Sequence, residues 1–289
     1  MALTDSVALP IIADTPQRLS ARVWRMTAAN PSIMTGPGTN SYLLIGARCV
    51  ALVDPGPADA AHHQALLAAV AETGLPLTHI LLTHTHRDHS PGTSALVAAT
   101  GARVCGMFPL ADDPSQDRDT VIDETLVDGQ CFDALGWPLE VIHTPGHVEN
   151  HLCFHCPDEH WLITGDHIIQ GSTVVIIPPH GRLGDYVRSL NKLLGRGIKY
   201  LLPGHGSVMP EAESVVAATV AHRLKREQKV IDALAAHPPA SLADWVPIVY
   251  DDVSPSLHPI ARFSLWAHLL KLAEDGVVTE TDGIWQPMR

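Results

Sequence analysis

The stretch that decides the reading is HTHRDH at residues 84–89, which opens directly after the apolar run HILLT at 79–83. Along an extended segment successive side chains alternate sides, so His84 and His86 fall on one side, with Asp88 and His89 just beyond, where the chain turns. Three further pieces follow apolar runs in the same way: TPGH at 144–147 after LEVI, GD at 165–166 after WLIT, and GHG at 204–206 after KYLLP. Together they present His84, His86, Asp88, His89, His147, Asp166 and His205 on short turns. Imidazole plus carboxylate is a donor set that suits zinc and similar borderline ions. The arrangement implies a two-metal hydrolytic site, because one loop holding two pairs of ligands can feed two ions.

THTHRDHSPG at 83–92, TPGH, TGD and PGHG resemble the metallo-β-lactamase superfamily. PGTNSYLL at 37–44, LVDPG at 52–56, AHRLKREQKVIDAL at 221–234 and LHPIARFSLWAHLLKLAEDG at 257–276 are similar to its β-lactamase-like protein 2 group, a relative of glyoxalase II and ribonuclease Z. The resemblance implies an α/β fold, an αβ/βα sandwich of two mixed sheets, over residues 1–210, with a helical, winged-helix-like appendage over 211–289. It also implies a ligand partition. His84, His86 and His147 would hold the first metal, Asp88, His89 and His205 the second, and Asp166 would bridge them. Two Zn2+ per chain are expected, with Mn2+ or Fe2+ as other divalent ions that this set accepts.

In that arrangement a hydroxide shared between ions about 3.5–4 Å apart is the nucleophile, its pKa drawn towards ~7. Asp88 and Asp166 are the catalytic carboxylates. Asp54, closing LVDPG, is a candidate to orient a ligand histidine, or else a plain strand-end aspartate; His180, in the IIPPHGRLG loop, is a candidate to face substrate. The resemblance also excludes chemistry. Flavodiiron proteins carry a carboxylate where this chain has His86, persulfide dioxygenases lose second-site ligands, and the common zinc β-lactamases carry a cysteine where it has Asp166.

Composition narrows the rest. The 289 residues are 46% hydrophobic and 17% charged, which reads as globular, with nothing like a disordered tail. No apolar run reaches the roughly 20 residues of a membrane helix. The first 20 residues hold no base before Arg18, unlike a signal or transit peptide, so the cytoplasm is the expected compartment. Five cysteines at 49, 105, 131, 153 and 156 give no disulfide framework, and the CxxC at 153–156 lies inside an alternating strand pattern.

Along the chain, SYLLI, VALV and HILLT read as strands, as do LEVIH, HLCFHC and WLITG, with IKYLLPGHG the last strand of the large domain. AAHHQALLAAVAET at 60–73 and GDYVRSLNKLL at 184–194 read as helices, and His62, His63 and His79 as helix-surface or strand-start residues rather than ligands. The Asp- and Pro-rich segment 109–128 is a lid or a solvated excursion. A helix over 213–236 ends before Pro238 and Pro239, and Ile260, Phe263, Ala267 and Leu270 mark one face of another helix. Asp282-Gly283 turns a terminal hairpin. The appendage holds few bases, so packing on the large domain or on a second copy in a homodimer is favoured over DNA.

Two substrate classes stay open. One is a small-molecule ester, thioester or lactone, and the other is single-stranded RNA, cut by a metal-dependent endoribonuclease. The net charge of −12 argues against polyanions, while Arg223, Lys225, Arg226 and Lys229 form a basic run that is either a phosphate contact or a solvated helix face. The balance favours the small acyl substrate.

Overall fold

A computed structural model describes residue 3 and residues 9–109 and 112–288. Residues 1, 2 and 4–8 of the N-terminal segment, and 110 and 111 of the long loop, lie outside it. The first sheet runs in chain order through β1 (Gln17–Arg18), β2 (Val23–Thr27), β3 (Asn40–Ile45), β4 (Val50–Val53), β5 (Leu77–Leu81), β6 (Arg103–Gly106) and β7 (Glu124–Thr125). It is antiparallel up to β4 and parallel from β4 onward. The second contains β8 (Cys131–Phe132), β9 (Leu139–His143), β10 (Leu152–Cys156), β11 (Trp161–Gly165), β12 (Tyr200–Pro203) and β13 (Met209–Pro210), with β11 and β12 parallel and the other neighbours antiparallel. The sheet therefore gains one short strand beyond the one expected to close it.

The two sheets pack face to face through period-two alternation. Tyr42, Leu44, Ala51 and Val53 meet Val141, Phe154, Trp161 and Ile163 in the inner layer. Leu43, Leu52 and Ile80 point the other way, against Leu66 and Leu96 of α1 (Ala60–Thr73) and α2 (Thr93–Thr100). On the far side α3 (Leu183–Leu193) lays Leu183, Tyr186 and Leu190 on Ile142, Cys153 and Leu162. Both sheets are covered on their outer faces, so central strands such as β3, β10 and β11 are buried nearly end to end and read as near-continuous apolar runs. Asp59 caps α1 by accepting from the Ala61 and His62 amides, and Gly74 ends it with a left-handed φ of 72°.

His62 and His63 correct the sequence reading, which put them on the helix surface. Both are buried: His62 bonds Asp14 through Nδ1 (2.7 Å) and Ser41 through Nε2 (3.2 Å), while His63 Nε2 donates to the Pro57 carbonyl (2.9 Å). An alanine-rich helix has no strong apolar stripe, so nothing local marks which polar residues turn inward. His79 lies within β5, half-buried edge-on to Phe132.

The C-terminal part is built from α4 (Ala212–Ala236), α5 (Leu242–Val249), α6 (His258–Glu274) and a small sheet of β14 (Ala240–Ser241), β15 (Val278–Thr281) and β16 (Ile284–Pro287) in the order β14-β16-β15. Asp282 and Gly283 turn the hairpin, both with positive φ, as a type I′ turn demands. Its core gathers Leu234, Trp245, Val249, Leu265, Leu269 and Trp285. The face of α6 is not the one expected: Phe263 is 39% exposed, and the buried stripe is Ala261, Leu265, Leu269 and Leu272. Ala267 faces the large domain instead, beside Tyr186 and Leu190. No helix among the described residues is long and apolar enough to cross a membrane.

The shifted stripe makes a stability prediction. Leu265→Ala should cost about 2–5 kcal/mol in chemical denaturation, and Phe263→Ala less than about 1 kcal/mol. The reverse ranking would mean that α6 is rotated from the position described.

Candidate metal centre

Strand ends of both sheets deliver the site. The turn after β5 carries His84, His86, Asp88 and His89; the turns after β9, β11 and β12 carry His147, Asp166 and His205. All seven residues anticipated from sequence converge, and their donor atoms form two groups. In the first, His86 Nδ1 lies 3.0 Å from His84 Nε2 and 3.1 Å from His147 Nε2, and Asp166 Oδ2 is 3.7 Å from His147 Nε2. In the second, Asp88 Oδ2 is 3.4 Å from both His89 Nε2 and His205 Nε2, while Asp166 Oδ1 is 3.4 and 3.2 Å from the same two nitrogens. Asp166 thus offers one oxygen to each group.

These separations cluster near the ~3.3 Å edge of a tetrahedron with bonds of ~2.0–2.1 Å to a central ion. The outer nitrogens fix the tautomers. His84 Nδ1 donates to Thr83 Oγ1 (3.0 Å), His86 Nε2 to Ser115 Oγ (3.1 Å), His89 Nδ1 to Asp54 Oδ2 (2.9 Å), His147 Nδ1 to the Val175 carbonyl (2.9 Å) and His205 Nδ1 to the Gly38 carbonyl (3.2 Å). Every inner nitrogen is thereby turned towards its neighbours, where a proton or a metal ion must meet it. His89 Nε2 and Asp166 Oδ1 are buried without a hydrogen-bond partner. The donor set fits a binuclear centre.

Titration behaviour agrees. Burial, reinforced by neighbouring imidazoles, pushes His84 well below its ordinary value and His86 down to about 3. In the second group burial again opposes charge, but Asp166 and Asp88 outweigh it, holding His205 at about 9 and His89 well above the usual range. Asp88 and Asp166 are held low despite burial, chiefly by His89 and His205. Protons on His89 and His205 therefore stand where positive charge is needed.

Asp54 takes the orienting role rather than that of a plain turn residue. At a φ of 51° its side chain accepts from the Thr83 amide (2.8 Å), Thr83 Oγ1 (2.6 Å) and His89 Nδ1, locking the start of the ligand turn. Gly204 is glycine for a steric reason: a Cβ there would lie 2.7 Å from Asp166 Oδ1 and 2.9 Å from His89 Cε1. The loop 109–128 is anchored where it meets the site. Asp113, Gln116 and Asp117 are buried, the Asp117 amide donates to the Thr85 carbonyl (2.6 Å), Gln116 receives the Thr85 hydroxyl, and Ser115 holds His86.

His151 escaped the sequence reading. It is fully buried beside His84, accepts the Asp166 amide at Nε2 (3.1 Å) and donates from Nδ1 to Thr144 Oγ1 (2.8 Å). Its position four residues after His147, next to a strand start, was the available signal. His167, also buried, packs edge-on to Tyr186. Two grooves open on the centre. One, of about 390 Å3, is bordered by His86, Asp88, His147, Asp166 and His205 and by Ile33, Met34, Ile169, Val175 and Ile177. The other, about 350 Å3, runs from His86 and His147 past Ser115 and the Pro178-Pro179 pair to His180.

The metallo-β-lactamase superfamily model matches residues 34–205, more than half of the chain. The chain belongs to the metallo-β-lactamase superfamily. A β-lactamase associated winged helix domain matches residues 241–285. Within the superfamily the chain is similar to the β-lactamase-like protein 2 homolog of Drosophila melanogaster, 33% identical over 268 residues and 90% of each chain. It is also similar to an atrochrysone carboxyl ACP thioesterase of Aspergillus chevalieri, 33% identical over 78% of this chain and 70% of that one. A β-lactamase domain protein from Burkholderia ambifaria shares the fold, with a TM-score of 0.81 at 20% identity, covering 97% of this chain and 96% of that one.

Two outcomes follow from the centre. Asp54→Ala should weaken metal binding about 10–100-fold in competition with a chelator, as loss of an orienting carboxylate does; wild-type affinity would remove Asp54 from the site. In the metal-free chain the raised His205 contributes stability below about pH 6.5 that is lost as pH rises towards about 9. Ions must displace that proton. Binding at neutral pH should therefore release protons and tighten with pH over this window, read by calorimetry in buffers of different ionisation enthalpy.

Proposed function

We propose that the chain is a two-zinc hydrolase acting on a small, uncharged ester, thioester or lactone. The observation that carries the substrate class is the lining of the two grooves: among the described residues that border them, none is lysine or arginine. Three imidazoles in the first group make it a zinc-type donor set. His84, His86 and His147 would hold one ion, Asp88, His89 and His205 the other, with Asp166 shared. When bound, the ions would supply a Lewis acid and a water that ionises near neutral pH.

The chain's own residues do the positioning. Asp54, Ser115, Thr83 and the Val175 and Gly38 carbonyls keep the inner imidazole nitrogens aimed at the centre. Asp166 is held by the hydrogen bond from its amide to His151. Asp88 borders the larger groove and is steadied by the Thr39 hydroxyl (3.3 Å), which places its carboxylate to accept a proton from the attacking water and return it to the leaving group. The thioesterase name of the Aspergillus relative supports an acyl substrate.

RNA is the weaker reading because Arg223, Arg226 and Lys229 of the basic run are engaged with partners in this chain, with Lys225 exposed beside them. Arg223 is buried, donates to the Val174 carbonyl and lies over the Tyr186 ring; Arg226 pairs with Asp252, and Lys229 with Asp251 and Asp252. The solvated-face expectation fails at Arg223, whose long side chain reaches back across the fold. Chelator-stripped protein should regain thioester or lactone turnover with two equivalents of zinc and lose it in Asp166→Ala or His147→Ala, with little response to salt. Metal-dependent cleavage of unstructured RNA, falling by about 0.7 log units per phosphate contact for each log unit of salt, would reverse the assignment.

A further inference from the structure

We propose that Arg223, on α4 of the C-terminal part, is a positioning residue for the metal centre and sets the direction in which His147 faces the first ligand group. The proposal rests on the two-metal reading and adds to it a residue from outside the sandwich. Arg223 is 4% exposed, yet it forms no ion pair among the described residues. The carboxylates of its neighbourhood are taken, Asp252 by Arg226 and Lys229, and Glu227 by Lys271. Its Nε has no hydrogen-bond partner. A buried charge without a counter-ion is costly, so arginine at this position needs a reason beyond packing. The guanidinium reaches two groups, and both lead to His147.

The first is the Val174 carbonyl, which accepts from Arg223 Nη2. The next carbonyl along the chain, that of Val175, accepts from His147 Nδ1 at 2.9 Å. Only φ and ψ of Val175 separate the two peptide planes, so holding the first limits where the second can point. The second group is the Tyr186 ring, whose centroid lies 5.2 Å from the guanidinium carbon, a cation–π distance. Tyr186 packs on the residue before His147: a Cβ on Gly146 would lie 2.3 Å from Tyr186 Cα. Its hydroxyl donates to the carbonyl of His167 (2.8 Å), the residue after Asp166. Arg223 thus grips both the backbone that receives the His147 ring and the tyrosine packed against the turn that carries it. Val174 and Val175 also border the larger groove, so the same grip holds part of its wall.

Nuclear magnetic resonance of the zinc-loaded full chain with nitrogen-15-labelled histidine tests the assignment. Arg223→Met removes the donor and the charge at similar length and, by relieving an unpaired buried charge, should fold. The Nδ1–H resonance of His147, assigned by its loss in His147→Gln, should then move or broaden. Those of His89 and His205, held by Asp54 and the Gly38 carbonyl, should stay in place. In competition with a chelator one of the two ions should be held about tenfold more weakly and the other within about twofold of wild type. Arg223→Lys keeps the charge but lacks the planar fork that meets ring and carbonyl together. It should move the same resonance, and it carries the test if Arg223→Met does not fold. A His147 resonance unmoved in a folded variant overturns the assignment and leaves the two-metal reading standing. So do equal shifts at His89 and His205 with both ions weakened alike, which is what general loosening of the fold would give. A wild type that binds no zinc overturns both.

Discussion

Lone pairs that cannot be satisfied by the protein are the constraint on which the rest depends. Five imidazole nitrogens and the oxygens of Asp88 and Asp166 point into one small volume at separations of 3.0 to 3.7 Å. Unpaired polar groups at that burial are costly, and the cost is tolerable only with cations between them. The surrounding structure keeps the geometry from relaxing, because each histidine is pinned by its other nitrogen. In the second group protons on His89 and His205 partly serve in place of ions, which is why burial fails to lower these two while it lowers His84 and His86.

The sandwich explains how seven residues spread over more than a hundred positions reach one place. Strands of two facing sheets end at the same edge, so their following turns share a rim. Asp54 joins the β4 end to the β5 turn, and His151 joins the β10 start to Asp166. The Leu152 amide donates to the Thr83 carbonyl (2.7 Å), tying one sheet to the other directly behind His84. Function then sits on strand ends that the core holds, and the turns at 33–36 and 169–181 border the grooves.

Legibility followed the length of the signal. HTHRDH, TPGH, GD and GHG each follow an apolar strand, and this pairing was enough to single out all seven converging side chains, while the fold class came from the resemblance of these motifs to the metallo-β-lactamase superfamily. What stayed hidden depended on tertiary direction. Nothing in AAHHQALLAAVAET says that His62 and His63 face inward, since alanine gives both faces similar character. Phe263 looked like core by periodicity, yet α6 packs on two neighbours at once, and Leu265 and Ala267 serve different cores. Ser115 and Gln116 sit in a polar loop whose folding back on Thr85 and His86 is set by long-range hydrogen bonds, and Arg223 in a charged run gives no local sign that it is buried.

The central claim is that Asp166 stands between two ions, and the most direct measurement is anomalous diffraction from crystals of zinc-loaded protein at the zinc absorption edge. The account predicts two peaks per chain, one against each oxygen of Asp166, the first among His84, His86 and His147 and the second among Asp88, His89 and His205. A single peak, or peaks away from Asp166, would contradict it.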